Sequence, residues 1–265
     1  MFLFFLFTDI YYICSQTAIP MNRLIKVLLL VFFTSAAAMA QHDKESVQKT
    51  NKMKVEIWSD IVCPFCYIGK RHFESALKSF SNADDIEIVW KSYQLDPETP
   101  KQQTKQNVYE YLANRKGISV EQSKAMHDNV VKMAFSAGLN YDFDKAIVAN
   151  SYDAHRLIQL AKSKNLGDAA EESLFKAYFI EGKDIANHEM LINLGKEIGL
   201  EASSIKTMLE SNQFSDEVER DSYEAVQIGV SGVPFFVIDS RYAVSGAQPV
   251  PVFLQTLQKA FESRK

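Results

Sequence analysis

Hydrophobic and polar positions alternate with a period of two ahead of residue 60, where Val55, Ile57 and Trp58 predict a strand over Lys54–Ile61. The period then lengthens. Phe73, Ala76, Leu77 and Phe80 recur at helical spacing and predict a helix over Tyr67–Phe80. Ile86–Trp90 predicts a second strand, and the proline-punctuated stretch Tyr93–Pro100 an exit loop. More than a hundred residues of helical pattern follow. Ser119 with Gln122 makes a capping box for a helix that Gly138 ends, and Asn150 caps the next, whose apolar stripe is Ala154, Leu157, Ile158 and Ala161. Further helices are predicted over Ala169–Ile180, Glu189–Ile198, Ser203–Glu210 and Asp216–Ile228. Strand pattern returns at Phe235–Ile238 and Tyr242–Ser245 on either side of a turn at Asp239-Ser240-Arg241, and a last helix runs from Val250 to Phe261.

Strand elements thus stand at both ends of a long helical block. Two unrelated domains would not divide a sheet in that way, so the pattern predicts one α/β domain, 54–92 with 229–263, and an inserted helical domain over 93–228.

The first forty residues read as a leader. Arg23 and Lys26 form a positive region, Val27–Phe33 an apolar core too short to span a bilayer, and Ala38-Met39-Ala40 a small-x-small cleavage signal, so export and processing after Ala40 are expected. Met1–Pro20 has no basic residue and carries Asp9 in its apolar run, which favours a translation start at Met21 and removes Cys14 from the product. Polar residues 41–53 read as a flexible tether. Beyond Ala40 there are 225 residues, with 27 basic and 32 acidic side chains, a net charge of about −5 and no basic cluster, which argues against nucleic acid as a partner. No membrane insertion is expected once the leader is removed.

After that leader the only cysteines are Cys63 and Cys66, in the run Cys63-Pro64-Phe65-Cys66 between a predicted strand and a predicted helix. A thiolate attacks disulfides, and a helix N-terminus stabilises one through unsatisfied N–H groups and the positive end of the macrodipole, which makes Cys63 the expected nucleophile. Cys66, one turn further on, is the expected resolving thiol. Pro64 suits the first helical turn, where its missing N–H costs nothing. Half of a zinc site is the competing reading of this spacing. It lacks a second Cys-x-x-Cys and would have to recruit the scattered His72, His127, His155 or His188, so no metal is expected. A permanent structural disulfide is a third reading, although so short a loop would constrain the unfolded chain little.

Four motifs together resemble the DsbA-like thiol oxidoreductases, and within them the FrnE-like branch. They are Ser59-Asp60-Ile61-Val62-Cys63-Pro64-Phe65-Cys66-Tyr67-Ile68-Gly69, Asn150-Ser151-Tyr152-Asp153-Ala154-His155-Arg156, Glu181-Gly182-Lys183-Asp184-Ile185 and Gly229-Val230-Ser231-Gly232-Val233-Pro234-Phe235-Phe236. The resemblance implies a thioredoxin fold with a large all-helical insertion, catalysis by Cys63 and Cys66, and a cis peptide bond before Pro234 that faces the dithiol. Val233 and Pro234, with Pro64 and Phe65, would then position an extended client segment. It implies no cofactor. Its partners would be client proteins with thiols or disulfides and a redox partner that resets the pair. His155 is expected to be packed or at the surface, Asp60 to cap a turn and Arg156 to be solvated; none is assigned to catalysis. The branch also contains glutathione-dependent isomerases of aromatic carboxylates, in which a serine resembles Cys63, so that activity is the alternative function. The second thiol and the leader weigh for disulfide exchange, because glutathione is scarce outside the cytoplasm.

Overall fold

The computed structural model describes residues 52–101 and 106–264. The leader and nearly all of the expected tether lie outside them. Met53, placed in the tether by its sequence neighbours, is instead the buried first residue of strand β1 (Met53–Ser59).

Four strands form a mixed sheet in the order β2-β1-β3-β4. β2 (Ile86–Ser92) runs parallel to β1, with Ile57 opposite Trp90. β3 (Phe235–Ile238) is antiparallel to β1 and pairs Phe236 with Ile57, and β4 (Tyr242–Ser245) closes a hairpin on β3. A parallel β1–β2 pair needs a crossover, supplied by helix α1 (Pro64–Lys78). Period-two alternation gives β1 two packed faces. One buries Phe73 of α1, Phe236 of β3 and Phe253 of α9 (Val250–Glu262) as a triangle of rings 4.6–5.7 Å apart. The other packs Trp58 against Ala225 and Val230.

Seven helices lie between β2 and β3 among the described residues: α2 (Val108–Lys116), α3 (Val120–Ser136), α4 (Tyr152–Lys162), α5 (Gly167–Phe179), α6 (His188–Glu197), α7 (Ala202–Leu209) and α8 (Ser215–Gln227). The architecture is α/β, with the helical insertion that the pattern predicts. The Ser119–Gln122 capping box opens α3. At α4 the N-cap position falls on Ser151 rather than Asn150, but the Asn150 carboxamide oxygen still accepts from the Tyr152 N–H at 2.9 Å. α2 had no separate prediction, because its apolar contrast is weak and only Val108 and Ala113 are buried.

Helix α1 is tied to the insertion by charge and by rings. Arg71 and Tyr67 hydrogen-bond to Glu172 of α5, while the buried Lys70 reaches Glu74, Asp168 and Glu172. Tyr67 stacks on Phe175 at 4.9 Å. Burial alone would raise the Glu172 carboxyl, but hydrogen bonds from Arg71 and Tyr67 and the charge of Lys70 outweigh it and hold the group down to about 2. Its neighbour Glu171 is fully buried without a comparable donor, and burial pushes it up to about 8. A second buried network covers the outer edge of β2. Asp221 of α8 accepts from the Ser92 N–H (3.0 Å), Gln159 (2.6 Å) and Lys91 (3.0 Å).

Two measurements follow from these networks. Glu172 is ionised more readily folded than unfolded, so its contribution is present above the ordinary carboxylate range, near pH 4.5, and is lost as pH falls toward 2; Glu171 binds its proton more tightly folded, so its contribution is lost as pH rises from 4.5 toward 8. Denaturant titrations across pH are expected to give a stability maximum at mildly acidic pH, with Glu172→Gln flattening the acid limb and Glu171→Gln the neutral one. Asp221→Ala leaves the buried Ser92 N–H without its acceptor, while Lys91 keeps Glu224 and Gln159 keeps the Ser92 hydroxyl, and is expected to cost about 1–3 kcal/mol in the same assay. A loss below about 1 kcal/mol would show the network to be dispensable.

Candidate active site

Strand β1 ends at Ser59, two residues short of expectation, because Asp60–Cys63 form a turn in which the Cys63 N–H donates to the Asp60 carbonyl at 3.0 Å. The helix begins at Pro64, earlier than the apolar stripe alone suggests, with Pro64 in its first turn and Cys63 at the N-cap. No acidic residue occupies that turn, so nothing competes there with an anionic sulfur for the positive end of the helix. Both cysteines are free thiols, buried in the fold.

The two sulfurs have different surroundings. The Cys63 thiol donates to the Val233 carbonyl at 3.4 Å, so the chain just before β3 faces this sulfur. The Val233–Pro234 bond is cis. Gly69 makes that approach possible: a Cβ there would stand 2.9 Å from Pro234 Cγ, inside the shortest carbon–carbon contact that side chains tolerate. On its outer side Cys63 forms part of the wall of a cleft of about 640 Å³, together with Pro64 and Phe65. Cys66 takes no part in the cleft. Burial pushes its thiol well above the ordinary cysteine range, and the neighbouring Cys63 pushes it further.

The structure thus brings together Cys63, Cys66, Pro64, Val233 and Pro234, with Phe65 at the cleft mouth. It also adds residues that sequence patterns did not indicate. The Tyr141 hydroxyl, on the loop after α3, donates to the Pro64 carbonyl at 2.8 Å, and its ring stacks on Phe179 at 4.6 Å, which fixes the dithiol turn from the insertion side. Its only sequence signal is an aromatic run, Tyr141-Asp142-Phe143, in a segment without periodicity. Gly69 stood in a quoted motif, but its reason, the proline it admits, lies 165 residues away.

Asp60 caps as expected: its carboxylate accepts from the Leu95 N–H at 2.7 Å and from the Val62 N–H at 3.4 Å. His155 is packed, its Nε2 3.4 Å from Asp60 Oδ1. Arg156 departs from expectation. It is buried, not solvated, because its guanidinium takes up the carbonyls of Met208 in the last turn of α7 and of Ser211 and Gln213 just beyond it, and pairs with Asp153. His72, His127 and His188 lie on different helices, bonded to the Gln248 carbonyl, the Ser123 carbonyl and the Asp153 carboxylate respectively. Among the described residues no group of three or more His, Cys, Asp or Glu side chains is placed to hold a metal ion.

Comparison with known proteins agrees with this geometry. The family model for a DSBA-like thioredoxin domain matches residues 54–258. A probable DsbA oxidoreductase from Streptomyces coelicolor, known as a crystal structure, is 40% identical, with 80% of this chain and 92% of that one covered and a TM-score of 0.77. An uncharacterized protein, YwbO, of Bacillus subtilis (strain 168) is 28% identical over 203 residues, 75% of this chain and 92% of that protein. A solved 2-hydroxychromene-2-carboxylate isomerase covers 80% of this chain and 96% of its own at a TM-score of 0.58; its 16% identity speaks for the fold alone. With a family model spanning most of the chain and a relative at 40% identity, the chain belongs to the DsbA-like family of disulfide oxidoreductases.

Proposed function

We propose that this protein exchanges disulfides with client proteins outside the cytoplasm, with Cys63 as the attacking thiol and Cys66 as the resolving one. The observation that carries the assignment is the asymmetry of the pair: Cys63 caps α1, touches the Val233 carbonyl and walls an open cleft, while Cys66 lies behind it. The Cys63 thiolate attacks one sulfur of a client disulfide, forming a mixed disulfide and releasing the other client sulfur as a thiolate. Cys66 then gives up its proton and attacks Cys63. The mixed disulfide breaks, the second client thiolate leaves, and the protein retains a Cys63–Cys66 disulfide. Reversal of the same steps oxidises a client dithiol. The backbone of Val233 beside Pro234 gives an extended client segment a surface to pair with, and Phe65 borders the same opening.

Export rests on the leader pattern of residues 21–40, and assignment to the FrnE-like branch on the four motifs. In that setting a separate redox partner resets the dithiol. The alternative, a glutathione-dependent isomerase of small aromatic compounds, draws on the shared fold and on a cleft of small-ligand size. It gives Cys66 no task.

Cys63→Ser is expected to abolish exchange, and Cys66→Ser to leave Cys63 in mixed disulfides that non-reducing electrophoresis resolves. A Cys66→Ser protein that turned over a dithiol client at the original rate would reverse the roles, and isomerase activity surviving in it would favour the alternative. The residue between Pro64 and Cys66 sets the poise in the same picture. Phenylalanine adds only an apolar ring, so Phe65→His, which adds a donor and a titratable charge beside the sulfur, is expected to make the couple more oxidising by on the order of 30 mV in a glutathione buffer. An unchanged or more reducing potential would take the intervening dipeptide out of control of this site.

A further inference from the structure

We propose that the Ser59 hydroxyl and the Asp60 N–H form a pocket of two donors for the Cys66 sulfur, the hydroxyl being engaged only while Cys66 is a thiolate, so that Ser59 governs the rate of the resolving step and not the equilibrium of the couple. The pocket rests on the resolving role proposed for Cys66 above and answers the charge which that role places on a buried sulfur. Ser59 is the last residue of β1 and is fully buried. With a period of two its side chain falls on the side of Ile57, whose cross-strand partner Phe236 packs on Phe73 of α1, so the hydroxyl points toward the helix that carries Cys66. It stands beside the Cys66 sulfur, yet among the described residues it makes no hydrogen bond. The Asp60 N–H faces the same sulfur. Two other donors near the dithiol are already occupied, the Cys63 thiol by the Val233 carbonyl and the Tyr141 hydroxyl by the Pro64 carbonyl.

A fully buried hydroxyl without a partner calls for a reason, and the chemistry of the neighbouring sulfur supplies one. A thiol is a weak acceptor, whereas hydrogen bonds to an ionised acceptor are about twice as strong as neutral ones. Burial pushes the Cys66 thiol up, and the two donors pull it part of the way back. In the resolving step the Cys66 proton passes to the client thiolate released by the first attack. The electron pair left on Cys66 forms the Cys63–Cys66 bond as the bond from Cys63 to the client breaks, and the second client sulfur leaves as a thiolate. In the opposite direction a client thiolate attacks Cys63 and Cys66 is the leaving thiolate. Charge sits on Cys66 only in passage, because the reduced protein holds it as a thiol and the oxidised protein as a disulfide. The hydroxyl therefore has little to bind in either end state and most to bind between them, which is the condition for speeding a step without shifting its equilibrium.

The test mixes the reduced full-length protein with dithiobis(nitrobenzoate), a chromogenic aromatic disulfide. Attack by Cys63 releases one coloured thiolate in a phase whose rate scales with reagent concentration, and resolution by Cys66 releases the second in a phase whose rate does not. Ser59→Ala is expected to slow the second phase relative to the first by about tenfold or more, the effect of removing one hydrogen bond to a charged group. Its equilibrium potential in a glutathione buffer is expected to match that of the unsubstituted protein. Resistance to denaturant is expected to be unchanged or higher, because the substitution removes a buried polar group that had no partner. A ratio of phases that Ser59→Ala leaves unaltered would overturn the pocket. So would a potential shifted far enough to account for the whole change in rate, or a loss of stability with both phases slowed alike. Each of these outcomes leaves disulfide exchange standing. Absence of the second phase in the unsubstituted protein would instead count against the resolving role of Cys66, and the pocket would fall with it.

Discussion

Helix α1 is held from both sides, and the chemistry of the molecule depends on that clamp. Its inner face enters the aromatic triangle with Phe236 and Phe253, which sets its height above the sheet. Its other face is fixed to the insertion by the stack of Tyr67 on Phe175 and by the bonds of Arg71 and Lys70 to the acidic side chains of α5. Neither contact touches a sulfur. Together they determine where the first turn of the helix ends, and with it the position of Cys63 against Val233. The ion pairs are only partly screened from water and contribute orientation more than binding energy. The rings contribute both.

That fixed helix separates two thiols of identical chemistry by one turn. One lies at the end of the helix, against a backbone carbonyl and an open cleft, and the other faces the protein interior. Burial makes the inner thiol reluctant to ionise, which fits it to the resolving role proposed for it. The insertion is part of this arrangement: Tyr141 holds the turn between the cysteines, and α2 and α3 furnish the far wall of the cleft.

Much of this was legible in the chain because the signals were local. The hairpin strands Phe235–Ile238 and Tyr242–Ser245 fall where alternation placed them, with Asp239 and Ser240 supplying the left-handed turn between them. The α3 capping box and the later helices follow their caps and stripes to within two residues. Errors appear where a local rule met a competing one. Pro64 starts α1 three residues before its apolar periodicity, and α2 carries too little apolar contrast to stand out. The site was legible only at the two cysteines and in the motifs that carried the family resemblance. Arg156, Tyr141 and Gly69 owe their roles to partners 52 to 165 positions away, and no window of sequence contains such a pair.

Any exposed strand edge is a template on which another chain can add as a further strand and stay. The network around Asp221 bears on this. By taking the Ser92 N–H and anchoring α8 beside it, Asp221 blocks part of the β2 edge of the sheet. The opposite edge is β4, only four residues long. In the exchange proposed above, a client segment would find its backbone partner at Val233, beside Cys63, where an encounter can end in covalent exchange and departure. The acid on α8 thus guards the protein against acquiring a foreign strand at the edge of its own sheet.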